Sequence, residues 1–271
     1  MLGEVSLLLR LADYLISRGQ PFNSEKFVNS YNDGLRKAID LVEGVSELKK
    51  DGLTTAATAL LKILASVVQG YHRKGEVNAN YMVQRDPSED LLAKCKFAMH
   101  DRRHDSFAGF LQLEAWGKIV NGLPNPKAFV LPVENPSGPR AKELLFGAPA
   151  ALIRDKPFIV GDTLKTNKIT RKNHERIQRE IGEYFQAQRE RLRSFVSIPV
   201  GLPPSSNLAS RPFGVVNIQS SRKSVLGALP GNQRKLLVAL SPFVQVLSYI
   251  MLRRDGVAGT LQAGARDPEE T

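Results

Sequence analysis

Cys95, His100, Asp101, His104 and Asp105 form the one cluster of metal-ligand residue types in this sequence. His100 and His104 stand at i and i+4, which on a helix puts both imidazoles on one face, with Cys95 as a third ligand for zinc. The spacing matches no standard zinc pattern, however, and Lys96, Arg102 and Arg103 set repelling charge beside it. A charged, solvated loop is the plainer reading. Cys95 as a nucleophile would need a depressed thiol pKa, which its neighbours Lys94 and Lys96 permit without establishing. No GxSxG elbow marks a serine nucleophile, and no glycine-rich phosphate loop is present. The chain is therefore not expected to be an enzyme, and it names no cofactor.

A second set of residues suits binding rather than catalysis. Gln112, Ser197, Asn217 and Gln219 are polar residues inside otherwise apolar strands, and Asp162 lies just past a strand end. A polar side chain on a buried strand face must find a hydrogen bond, from the protein or from a ligand. Alternation groups Ser197 with Phe195, and Asn217 and Gln219 with Phe213 and Val215. If that face is the pocket side, these residues line it together with Gln112. If it is not, it is simply solvated. Alternation also puts Phe110 and Trp116 on one face of their strand, as core.

The elements that must position these residues follow from periodicity. Apolar residues at three- and four-residue steps predict an amphipathic helix over Glu4–Ile16 and a second from Ser24, with Phe27, Tyr31, Leu35, Ala38 and Val42 on one face. Thr54–Tyr71 predicts a broad-faced buried helix. Strands are expected at Val77–Val83, Phe107–Trp116, Phe129–Val133, Lys156–Asp162, Phe195–Val200 and Phe213–Ser220. Between them lie helical patterns over Ala141–Arg154, interrupted by Gly147 and Pro149, and over Thr170–Arg193. A last helix, Asn232–Arg253, precedes a small, polar tail expected to be disordered.

With 271 residues, 42% hydrophobic and 24% charged, the chain can bury a sizeable core. No uninterrupted apolar run approaches the roughly 18 residues of a membrane span, so no membrane association is expected. A single cysteine excludes an intrachain disulfide and fits a reducing, cytoplasmic setting. The net charge of +11 favours acidic partners, protein or nucleic acid. Aromatic residues do not interleave with the basic clusters as a stacking platform would, which weighs against nucleic acid.

Four stretches, taken in order, resemble a GAF domain. They are ALLKILASVVQGYHRKGEVNANYMV, GAPAALIRDKPFIVGD, SFVSIPV, and FGVVNIQSSRKSVLG with NQRKLLVALSPFVQVLSYIM behind it. The resemblance covers roughly 200 residues, 52–253, leaving a helical extension over 1–50 and a tail over 254–271. It implies an α+β fold: a sheet of five or six antiparallel strands with the first and last helices on one face and a pocket on the other. It also implies a sensory or regulatory module that binds a small molecule or partner protein, with dimerisation through the N-terminal helices. The alternative is a ligand-free scaffold with a basic surface. The NKFDE sequence of cyclic-nucleotide-binding members is missing. Cys95 is misplaced for bilin attachment, and one cysteine is too few for methionine-sulfoxide reduction.

Overall fold

The computed structural model describes residues 25–45, 47–71, 75–95, 103–118, 130–135, 146–168, 175–201 and 212–255. The predicted first helix, residues 256–271 of the expected tail, His100 and Asp101 lie outside these residues, while Arg254, placed in the tail by the sequence reading, ends the last helix. In chain order the elements are α1 (Glu25–Val45), α2 (Lys50–Tyr71), β1 (Val77–Arg85), α3 (Glu89–Lys94), β2 (Phe107–Lys118) and β3 (Val130–Glu134). There follow α4 (Gly147–Arg154), β4 (Phe158–Val160), α5 (Glu175–Ala187), β5 (Ser194–Val200), β6 (Gly214–Ser220) and α6 (Pro230–Arg254).

The six strands form one antiparallel sheet in the order β3-β2-β1-β6-β5-β4. Its first and last strands in sequence, β1 and β6, are central neighbours, which brings the two ends of the domain together. Period-two alternation then gives the sheet two different faces. Val77, Ala79, Tyr81 and Val83 of β1 join Val216 and Ile218 of β6 and Val196, Ile198 and Val200 of β5 in one core. Leu60, Leu61, Leu64 and Val68 of α2 pack on this face beside Leu240, Phe243 and Leu247 of α6. The fold is an α+β, GAF-like one, as the sequence led us to expect.

α1 is the outer layer. It lays Phe27, Tyr31, Ala38 and Val45 on α2 and α6, with the Tyr31 ring edge-on to Phe243 at 5.7 Å. Over 18-residue windows, α2 and α6 reach mean hydropathies of 1.4 and 1.7, enough by composition for a membrane span. Here that apolarity serves the core, since about half of each window is buried within the fold.

Two sequence expectations change. Of the helical pattern over Ala141–Arg154, residues 141–145 lie outside the described residues, and the rest forms a helix from Gly147, whose φ of 61° suits glycine, with Pro149 in the first turn where no donor is lost. In β2 the simple alternation breaks. A register shift lies between Tyr81 and Met82, so Tyr81 pairs with Ala115 but Met82 pairs with Leu113. Phe110 therefore stands opposite Arg85, and Trp116 opposite Asn80, on different faces of the sheet.

Candidate ligand site

Cross-strand register assembles the site. Asn80 on β1 lies between Trp116 on β2 and Asn217 on β6, and Asn217 lies beside Ser197 on β5. Residues directly opposite in an antiparallel pair project to the same side. These four side chains thus cross the middle of the sheet as one row, on the face away from α2 and α6. Phe158 of β4 stands opposite Ser197 and continues it.

The row is hydrogen-bonded along its length. The Ser197 hydroxyl donates to Asn217 Oδ1 at 2.6 Å, and Asn217 Nδ2 donates to Asn80 Oδ1 at 2.8 Å. Asn80, Ser197 and Asn217 are 4%, 0% and 6% exposed, so all three belong to the interior. Buried amides are costly unless bonded, and this chain of bonds offsets that cost. At the β2 end it stops short. The indole Nε1 of Trp116 is buried and has no hydrogen-bond partner among the described residues.

Apolar groups frame the row on both sides. Met82, Leu111, Val133 and Val215 pack with Ala148, Ala151 and Leu152 of α4. On the β4–β5 side, Phe146 lies 5.3 Å from Phe158 and 6.0 Å from Phe195, and Phe185 stacks on Phe195 at 5.7 Å. An open concavity runs along α5 past Glu175, Gln178, Arg179, Gly182 and Glu183; it includes no member of the row.

The sequence candidates fall in different places. Ser197 and Asn217 meet in the row, and Gln219 sits one step along the same face, opposite Asn78 and Phe195. Gln112 stands opposite Val83, a residue of the helix-side core, and does not meet them. Asp162 lies at the end of the sheet. Its carboxylate accepts from Arg193 Nε at 3.0 Å, from the Leu164 N–H at 3.1 Å and from Lys223 at 3.2 Å. Burial opposes its ionisation, but the hydrogen bonds from Arg193 and Lys223 outweigh that and hold it below the usual carboxylate range. Asn80 was missed, although the VNANYMV strand displays the same signal of a polar residue amid apolar ones. The Trp116 role was hidden by the shift in β2.

Cys95 is buried beside Phe107, Phe110, Leu91 and Leu92, and burial pushes its thiol up to about 12, opposite to what a thiol nucleophile needs. His104 Nδ1 is 3.9 Å from a Glu89 carboxylate oxygen. Among the described residues, no three His, Cys, Asp or Glu side chains converge as a metal site would require.

A six-stranded antiparallel sheet with α2 and α6 packed on one face is a GAF-like architecture. The GAF domain of an Acinetobacter phosphoenolpyruvate-protein phosphotransferase is similar at 12% identity and a TM-score of 0.40, covering 83% of this chain and 96% of that one. The phycoerythrobilin-bound GAF domain of a cyanobacterial phytochrome is 14% identical, with a TM-score of 0.41 and coverages of 83% and 97%. The type II free methionine-R-sulfoxide reductase of Thermoplasma acidophilum is 13% identical, with a TM-score of 0.36 and coverages of 73% and 95%. No protein-family model matches the sequence, and no curated protein matches it either. Likenesses this distant carry no functional assignment, and the fold reading rests on strand order and helix placement.

Proposed function

We propose that the chain is a GAF-type regulatory module that binds a small molecule on the sheet face opposite α2 and α6. The observation that carries this is the buried Ser197–Asn217–Asn80 row ending at an indole N–H without an acceptor. A buried donor left open costs free energy that a bound acceptor recovers. Binding there would act on β1 and β6, whose other faces carry the core shared with α1, α2 and α6. A shift in that packing is the signal, read by a partner protein or a second copy through α1 and α6. Native mass spectrometry of the purified chain, compared with its denatured mass, tests the reading. Extra mass released on denaturation, and lost in Asn217→Leu, is the expected result. Identical masses, together with unchanged Trp116 fluorescence across a metabolite library, would overturn it.

A second reading takes the surface charge as the function. Arg189, Arg191, Arg222 and Lys223 are exposed at the sheet end that carries Asp162, in a chain of net charge +11. On this view the domain is a scaffold for an acidic partner. Binding to heparin that weakens steeply with salt, and is lost in Arg189→Ala/Arg191→Ala/Arg222→Ala, favours it; salt-independent behaviour removes it.

A further inference from the structure

We infer that the ligand of this face is a small aromatic carboxylic acid, its carboxylate seated where β2, β1 and β6 carry Lys118, Asn78 and Gln219, and its ring along Phe195 and Phe158. The inference rests on the proposed function above and adds to it a second row of residues and a chemical class.

The second row follows from the register. Two residues along the strands from Trp116, Asn80 and Asn217, on the same face, stand Lys118, Asn78 and Gln219, with Asn78 opposite both of the others. Phe195 of β5 continues this row opposite Gln219, and Val160 of β4 stands opposite Phe195. The two rows differ in how far their polar groups are spent. Asn80, Asn217 and Ser197 are buried and bond one another. Asn78 and Gln219 are half-buried, and no hydrogen bond ties either side chain to another described residue. The first row is therefore the support of the face, and the second holds amides that a ligand reaches. The buried Trp116 N–H, without a partner among the described residues, adds a donor two residues from Lys118.

Charge selects an acid. Cations predominate at this end of the sheet: Lys118 on β2, Arg222 against Gly75, and Arg193 and Lys223 about Asp162, with Glu76 exposed ahead of β1. Arg193 and Lys223 are spent on Asp162, which leaves Lys118 as the cation of the row itself. A carboxylate accepts from amide, ammonium and indole N–H groups alike, and charge-assisted bonds are about twice as strong as neutral ones. A cationic ligand would meet Lys118 with no carboxylate in the row to answer it. Distance sets the apolar half. Neighbouring strands lie about 4.8 Å apart, so a ring joined to a carboxylate over Asn78 and Gln219, directly or through one methylene, reaches β5 and β4. There Phe195 is buried and Phe146 and Phe158 are half-buried, with Phe146 5.3 Å from Phe158 and 6.0 Å from Phe195. Half-exposed rings at that reach favour an aromatic body over an aliphatic one.

The test uses the full chain and calorimetry. Phenylacetate and 4-hydroxybenzoate are the acid probes, phenylacetamide and 4-hydroxybenzamide their neutral counterparts of the same shape, and inorganic phosphate a charge without a ring. Saturable binding of an acid probe, at least about tenfold tighter than its amide, is expected, that factor being the worth of one charge-assisted hydrogen bond. Lys118→Gln should remove the preference and leave the affinity of the amide unchanged. Gln219→Met, of similar length and without the amide, should weaken acid and amide alike by about threefold to tenfold. Asn78→Asp keeps the shape and adds a like charge; it should abolish binding of the acids, and it stands in for Gln219→Met if that variant does not fold. Amides that bind as tightly as the acids overturn the inference. So does phosphate binding as tightly as either acid, and so does silence of both acids. The mass retained by the native protein, read separately, then decides whether the proposed ligand face stands without this chemistry.

Discussion

Asn217 is the hinge of the polar row, because it both accepts from Ser197 and donates to Asn80. Replacing it with leucine keeps the volume approximately and leaves two buried polar groups without their partner. Each such orphan costs about 1–3 kcal/mol, so Asn217→Leu should destabilise the domain by more than Ser197→Ala, which removes one donor. Urea unfolding of both single variants and the double measures this. The double variant should cost less than the sum of the singles by roughly 0.5–3 kcal/mol, since the two residues share one bond. Strict additivity would mean that the bond in the row has no energetic weight. A residue-level reading of the sequence reached half of this arrangement. Ser197 and Asn217 were visible as polar residues in apolar strands, but neither says which other strand supplies its partner. Asn80 lies 137 residues before Asn217, and only the pairing of β1 with β6 brings them together.

At the scale of elements, two contacts decide how α2 and α6 sit on the sheet. Gly117 of β2 passes so close to α2 that an added Cβ would lie 2.5 Å from the backbone carbon of Leu61 and the nitrogen of Lys62. Backbone on both sides cannot yield as a flexible side chain does. Gly117→Ala should therefore lower stability by about 1–3 kcal/mol, read as a reduced melting temperature with the same far-ultraviolet spectrum. A variant as stable as wild type would show that α2 has room to move away. The second contact fastens the end of α6. Arg254, whose side chain is 2% exposed, bonds Glu114 of β2 and its neighbour Asp255, both at 2.9 Å, and Glu114 also reaches Arg85 at 3.1 Å. Glu114→Gln leaves the guanidinium half-answered, and should cost about 1–3 kcal/mol and speed amide exchange in the last turn of α6. Unchanged exchange there would rule out the fastening. The amphipathic patterns of α1, α2 and α6 were readable because burial on one face imposes its own period. The break in β2 was not, since Leu111, Leu113 and Ala115 go on alternating with Gln112 and Glu114 straight through it in the sequence. That break turns Gln112 toward Val83 and parts Phe110 from Trp116.

For the molecule as a whole, the antiparallel sheet and its covering helices were foreseeable from the order of patterned segments. What closes the sheet's end was not, because it depends on three segments distant in sequence. Asp162 follows β4, Arg193 precedes β5 and Lys223 follows β6; one carboxylate ties all three together. The Thr163 hydroxyl donates to the Leu192 carbonyl at 2.8 Å, and the Arg193 N–H to that of Ser220 at 2.7 Å, tightening the same closure. Because these partners hold the Asp162 carboxyl below the usual range, the folded chain binds its proton less readily than the unfolded chain does. Stability from this group is then fully present above the unfolded value of about 3.9 and is lost as pH falls through the lower folded value. Asp162→Asn, which cannot ionise, should be less stable than wild type by a constant margin from neutral pH down to about 5, with the gap closing below about 4. Parallel urea titrations of the two proteins between pH 7 and pH 3 measure the gap directly. A margin that stays level to pH 3 would mean the ionised carboxylate is not what holds the sheet end closed. A gap that widens on acidification would reverse the sign of the coupling and place the folded value above the unfolded one.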